Sequence, residues 1–560
     1  MDRKSERIEG LDLAGSPRTP RETSSRQAWL LWGLGAVFVL ILAVFFYPRS
    51  TVIADETCYL SAARYLLNGK AFDRFSEAWF YKNVGFYQRT FFSASPTFSA
   101  LLIPFVAMGW RSAFVLGVLS HILGFGGLIY VFRRRGLPIG WAVLYLLHPT
   151  AVLYSHTVMA DVPSSALVVL ILCILHRDRP NHFAAGLVMG LLLLVKLSNF
   201  PLIAAFGLLF FLSDVVRKRS SPDSRKLRLR WVHLGLGMLP GVILFLIVNV
   251  VLFNSPLGNG YVGRDSGYFR WHYFLEHFPF YLVALMAMYP LMLISPVFLS
   301  GKYRWEMRLS CLAGIVFFAF YFYVDKGDVW YASLVLGLRF HLIFLPFYVI
   351  GYAQMLTRLA RAVKRVVLVR LALVGATVIL AGADVVMCAL YAKETGRAWE
   401  RQERLHEALS TGATVLAPLY ASKYLNAAAR PDLRIVRVIT YRDFVYVADE
   451  VTPPAWLLVP RPNPESAVLR NQLIEMVRGV FELEASPRRV DGLEVWRLTR
   501  KRVTPEGATS RSGLSLPSVG RLTREGLPVR AVTAGDLREP DRRRCRLSHV
   551  GQYDRAFPGL

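Results

Sequence analysis

Residues 28–73 read AWLLWGLGAVFVLILAVFFYPRSTVIADETCYLSAARYLLNGKAFD, and the first 20 of them, Ala28 to Tyr47, carry no charge. A helix of that length crosses the roughly 30 Å of a bilayer's hydrocarbon core. The polar segment before it, residues 1–27, closes with Arg26, and no small-residue cleavage site follows the run. The run therefore reads as a retained first span and not as a signal peptide. Directly after it, Asp55 and Glu56 open a stretch in which Tyr59, Leu60, Ala63, Leu66 and Leu67 share one helical face, with Asn68-Gly69 as the stop. That pattern predicts an amphipathic helix on the membrane surface with two acids at its start. The plainer reading of the acids is structural, with Asp55 capping the helix and Glu56 complementing its dipole.

Further apolar runs cover Ser112 to Phe132, Ile139 to His156, Val162 to Leu175, Phe183 to Val195, Phe200 to Leu212, Val232 to Phe253, Phe280 to Leu299, Leu309 to Tyr323, Phe340 to Leu356 and Leu371 to Tyr391. The fold class is thus a polytopic α-helical membrane protein of about eleven transmembrane helices. With 54% hydrophobic residues, 13% aromatics and a mean hydropathy of +0.37, the chain is more apolar than a water-exposed surface allows. Lys and Arg in the short loops set the expected orientation. With the N-terminus cytoplasmic, the loops placed inside hold 20 of them and those placed outside hold 5. The net charge of +27 then reflects topology, and no nucleic-acid partner is implied.

This orientation leaves three large segments outside: Pro48 to Arg111, Asn254 to Pro279, and everything after Tyr391. In the first, which makes residues 48–111 the first outer loop, FSALLIPFVAMGW is too short to cross and predicts a further interfacial helix. Residues 28–391 form the transmembrane domain. Residues 392–500 predict a small extracytoplasmic α/β domain, in which strands (TVLAP, RIVRVI, AWLLVP) alternate with helical stretches (SKYLNAAAR, ESAVLRNQLIEMVRG) and EVWRLTR closes a hairpin with FELEA. Residues 501–560, rich in Arg, Gly, Ser and Pro without periodicity, predict disorder. Cys58, Cys173, Cys311, Cys388 and Cys545 stand singly, which gives neither a zinc spacing nor a disulfide framework.

Four pieces carry residues that could do chemistry. The acidic pair Asp55-Glu56 is the first. In the second, YSHTVMADVP, Asp161 lies at an apolar boundary where an ionised carboxylate needs water or a partner; the bland alternative is a solvated turn with Pro163 at a helix start. His148 and His156 before it read as interior histidines. The third is the turn-rich loop NSPLGNGY, residues 254–261. In the fourth, Arg339 opens RFHLIFLP, where a guanidinium can grip phosphate bidentately or simply snorkel to headgroups. Asp384, inside the last run, has no assigned role; an acid at such depth faces the bundle or a wet cavity.

These pieces, together with the Lys-bearing turn LLLLVKLSNFPLI, resemble in their order the C-type membrane glycosyltransferases, and more narrowly the branch of protein O-mannosyltransferases and lipid A aminoarabinose transferases. The resemblance covers roughly Ala28 to Tyr391. It implies transfer of a sugar from a polyprenyl- or dolichyl-phosphate donor, with inversion, to a glycan, lipid or protein acceptor outside the membrane. Carried across, Asp55 is the general base, Glu56 holds the acceptor or a divalent cation, and Asp161 completes the outer cavity. Lys196 and Arg339 hold the leaving phosphate, and Tyr261 touches donor or acceptor. Any metal would fall to Asp55, Glu56 and Asp161. Successive helical residues project about 100° apart, so the two adjacent acids do not share one task. The chain departs from the pattern in SASPTFSAL, where Pro96 stands without a second proline, and in lacking the added carbohydrate-binding domain of eukaryotic O-mannosyltransferases. That inclines the location to a bacterial plasma membrane. The rival from another class is a multi-pass secondary transporter or lipid flippase, for which Asp384 speaks.

Overall fold

The computed structural model describes residues 25–69, 96–218, 224–253, 269–321, 323–324, 330–363, 366–417, 425–426, 428–437, 451, 453–460 and 467–501. Tyr261, Cys545, the NSPLGNGY loop and the tail 502–560 lie outside them. The helices run α1 Ser25–Phe45, α2 Ala54–Leu67, α3 Pro96–Ala107, α4 Val115–Arg134, α5 Val143–Leu146, α6 Pro149–Ser155, α7 Asp161–Leu175 and α8 His182–Val195. They continue as α9 Phe200–Lys218, α10 Ser224–Phe253, α11 Trp271–Met288, α12 Arg304–Phe320, α13 Trp330–Gly337, α14 Leu345–Val363, α15 Val366–Ala408 and α16 Ala467–Arg478.

Among the described residues five helices are long and apolar enough to cross a membrane, and a sixth if α11 and the 3-10 turn Met292–Phe298, bent by 84°, form one span. The other apolar runs fold as shorter pieces. The run Ile139 to His156 is not one helix: it breaks into a 3-10 turn, α5 and α6, because Pro149 cannot continue α5 and starts α6 instead. Every residue of α6 is buried. The bend after α11 falls at Tyr289-Pro290-Leu291, with Leu291 left-handed at φ 67°. The 12 residues of α3 reach only about 18 Å, and it packs against α2.

Small residues let the bundle close. On α8, Gly186 and Gly190 meet Gly237 and Gly241 of α10 so closely that a methyl at Gly186 would enter the Leu234 carbonyl, and one at Gly237 the Phe183 carbonyl. Backbone-to-backbone approach of this kind maximises dispersion contact where no hydrophobic drive separates helix from lipid. By contrast α1 and α10 leave much of their apolar surface exposed, as lipid-facing helices do.

α15 runs on past Tyr391, where the apolar sequence ends, to Ala408, so position 392 lies within a helix. Beyond it, β1 Thr414–Ala417, β2 Arg434–Arg437, β3 Ala455–Pro460, β4 Phe481–Leu483, β5 Arg488–Val490 and β6 Leu493–Arg500 form one sheet in the order β2-β1-β3-β6-β4, with β5 also on β6. β1 is parallel to β2 and β3, and β6 closes antiparallel on β3. The turn Asp491-Gly492 joins β5 to β6, and β4 also pairs with β6. Alternating residues fill a core on each face, with Trp496 and Leu498 on one side and Trp456 and Leu458 on the other.

Candidate active site

The start of α2 is built by Glu56. Its Oε2 accepts the backbone N–H groups of Val52 and Ile53, each at 3.0 Å, and satisfies the orphan donors of the helix start. Its Oε1 accepts the Val158 N–H at 3.0 Å and the Tyr391 hydroxyl at 3.4 Å. The cap therefore comes from Glu56 and not, as the plainer sequence reading has it, from Asp55. Burial is complete, and it pushes the Glu56 carboxyl up to about 7 against the pull of its backbone donors. The first turns of α2 are buried on nearly all sides, through Cys58, Tyr59, Leu60, Ala62 and Ala63, and only its end from Leu67 is exposed. The expected half-exposed surface helix is thus a packed one, held by α3 and by the segment through Val158.

With Glu56 turned inward, Asp55 turns to a different neighbour. Its Oδ2 accepts from Arg339 Nη2 at 2.9 Å. Arg339 Nε donates to Asp161 Oδ2 at 3.3 Å, and Asp161 Oδ1 takes Lys196 Nζ at 2.5 Å. Four residues from four parts of the chain so form one line of alternating charge, Asp55, Arg339, Asp161, Lys196. Three of them stand at breaks: Asp161 opens α7, Lys196 is an extended residue (φ −158°, ψ 123°) between α8 and a 3-10 turn, and Arg339 begins the 3-10 turn after α13. Irregular backbone in a helical bundle belongs where it lines a site or is wrapped in protein. Asp161 is 2% exposed at the side chain and Arg339 4%, whereas Asp55 is 48% exposed. Phe340 lies under both cations, 5.1 Å from Lys196 Nζ and 5.3 Å from Arg339 Cζ, and Tyr154 is 6.0 Å from Arg339. Electron-rich ring faces stabilise charges that have lost water.

The structure brings together Asp55, Asp161, Lys196 and Arg339 and sets Glu56 beside them, facing the protein interior. Tyr261 lies outside the described residues. The three acids do not make a metal cradle: both oxygens of Asp161 are held by cations and those of Glu56 by N–H and O–H donors. Among the described residues no group of three His, Cys, Asp or Glu is placed around a common ion position. His156 Nδ1 lies 2.9 Å from the Val152 carbonyl, and the His148 ring packs on Tyr289 at 5.5 Å.

Sequence reasoning missed Tyr391. Its signal was available: Asp384, Cys388, Tyr391 and Thr395 recur at helical spacing and are all buried, which marks the inward face of α15. Thr395 Oγ1 accepts the Arg49 N–H at 3.3 Å, and Trp399 stacks on Trp110 at 6.1 Å with Arg111 Cζ 4.2 Å from its ring. The last long helix thus braces the loop that carries Asp55.

No family model and no curated protein sequence matches the chain. Solved structures do. Apo ArnT from Cupriavidus metallidurans superposes with a TM-score of 0.53 at 14% identity, over 84% of this chain and 98% of that one. The crystal structure of the same protein bound to undecaprenyl phosphate gives 0.49, also at 14% identity and over the same shares. The fold is therefore similar to that of ArnT.

Proposed function

We propose that the chain is a glycosyltransferase of a bacterial plasma membrane that moves a sugar from a polyprenyl-phosphate donor to an acceptor on the outer face. One observation carries the reading: the ion-paired line from half-exposed Asp55 to buried Lys196, gathered at helix breaks of an ArnT-like bundle. It supplies two cations for a phosphate and, at its rim, a carboxylate open to an incoming hydroxyl. The acceptor oxygen bonds to the anomeric carbon while that carbon's bond to the phosphate oxygen breaks. The electron pair leaves with the polyprenyl phosphate, and the hydroxyl proton passes to Asp55. Attack from the side opposite the leaving group inverts the anomeric centre. Lys196 and Arg339 offset the charge that develops on the phosphate. Glu56 is assigned here to positioning: its four hydrogen bonds hold the turn from which Asp55 projects.

The test is release of polyprenyl phosphate from a panel of polyprenyl-phosphate sugars offered with a membrane extract as acceptor. Wild type releases it and Asp55→Asn loses at least about a hundredfold, the scale of general-base catalysis. Equal release by both removes Asp55 from the chemistry. Asp384 favours the transporter reading, since it is fully buried and neither carboxylate oxygen has a hydrogen-bond partner among the described residues. Failure of every donor in this assay would turn attention there.

A further inference from the structure

Among the described residues the line Asp55, Arg339, Asp161, Lys196 sets two carboxylates against two cations. A phosphate that takes the outer edge of the Arg339 guanidinium competes with Asp55 for it, and one that takes the inner edge competes with Asp161. Which one yields is decided by burial. Asp161 holds Lys196 and Arg339 together at 2.5 and 3.3 Å and is 2% exposed, so separating it from them would strand charge inside the protein. Asp55 touches Arg339 through Nη2 and is 48% exposed, so it can exchange the guanidinium for water at small cost. The Asp55 oxygen that faces Arg339 is also one that a reacting hydroxyl would use, and while it accepts from Nη2 one of its lone pairs is engaged by the guanidinium.

We infer that Arg339 is exchanged between Asp55 and the donor phosphate, so that arrival of the donor releases the Asp55 carboxylate and imposes the order donor before acceptor. The inference rests on the transferase reading above and adds a latch to it. Asp161 stays as the fixed pivot: it keeps Nε of Arg339 while the Nη2 edge turns from one anion to the other. A planar guanidinium suits that task, because its donors form a rigid fork that can serve two anions, whereas an ammonium offers a single point charge. Phe340 and Tyr154, against the guanidinium, define the surface on which it pivots. The latch would also protect the donor, since an unmasked carboxylate appears only once a sugar is in place and the acceptor is next to enter.

The test measures binding of a radiolabelled polyprenyl phosphate to the full chain in detergent for wild type, Asp55→Asn, Arg339→Gln and the double variant. The latch predicts that Asp55→Asn, although inactive in transfer, binds the lipid phosphate about three- to tenfold more tightly, the release of one half-exposed ion pair. In the Arg339→Gln background the same substitution changes affinity by less than about twofold, because the cation it would free is gone. Arg339→Met, which likewise removes the cation, replaces the Gln variant if that one does not accumulate, with the same expectation. Unchanged or weaker binding by Asp55→Asn overturns the latch and leaves the transferase reading standing. An equal gain in both backgrounds also overturns it, since the gain is then mere removal of a negative charge. No binding by wild type overturns the lipid-phosphate reading and the latch with it.

Discussion

Replacing Asp161 by Asn keeps the size of the side chain and removes the charge that holds two buried cations. Lys196 and Arg339, 11% and 4% exposed at the side chain, are then left with half-exposed Asp55, 2.9 Å from Arg339, as the acid of the line. Removing one partner of a buried ion pair costs about 3–5 kcal/mol, because the charge that remains is buried without the partner that offset it. For a chain of this size that corresponds to a fall of roughly 3–4 °C in Tm, read by thermal unfolding in detergent. The added substitution Lys196→Met removes the stranded ammonium and recovers at least about half of the loss, a coupling that contact predicts and distance would not. Asp161→Asn melting within about 1 °C of wild type, or a double variant that adds a second full loss, would refute the view that this line is one mutually neutralising unit.

Two further outcomes follow from buried groups beside the site and within the bundle. Glu56, whose carboxyl is held near 7 where an exposed one sits near 4.5, binds its proton more tightly folded than unfolded, so stability falls as pH rises from about 5 to 7 and stays low above. The span is about 3 kcal/mol at most, and Glu56→Gln flattens that segment of a pH series of melting temperatures; an unchanged slope would assign it to other groups. At the α8–α10 seam, Gly237→Ala drives a methyl into the Phe183 carbonyl and costs about 1–3 kcal/mol, whereas Gly235→Ala, with nothing within 4 Å, is neutral in the same melts. Equal effects at the two positions would mean the seam is not close-packed.

Much of the candidate site was legible before the fold. Asp55, Asp161, Lys196 and Arg339 each interrupt apolar sequence, and a charge at such a boundary needs a partner or a task. That the adjacent acids Asp55 and Glu56 point about 100° apart was legible, but which of them turns into the protein was not, since it depends on the distant Val158 and Tyr391 that Glu56 meets. Tyr391 was passed over because a tyrosine ending an apolar run looks like an interfacial anchor until its partner, 335 positions away in the chain, is known.

By itself the sequence determined what solvent can and cannot accept. Twenty uncharged residues at 28–47 and the runs after them require a hydrocarbon environment, and a polar α/β composition follows them. These are properties of local composition and survive any arrangement of helices. Only the tertiary structure decided that the run from Ile139 breaks at Pro149, that Glu56 caps α2 and that α15 continues to Ala408. It alone decided that Arg339 stands between Asp55 and Asp161, residues 284 and 178 positions distant. An ion pair depends on distances of a few ångströms between chain segments, and those are fixed by how helices pack, through contacts such as the glycine seam, which periodicity and charge counts along one chain do not contain.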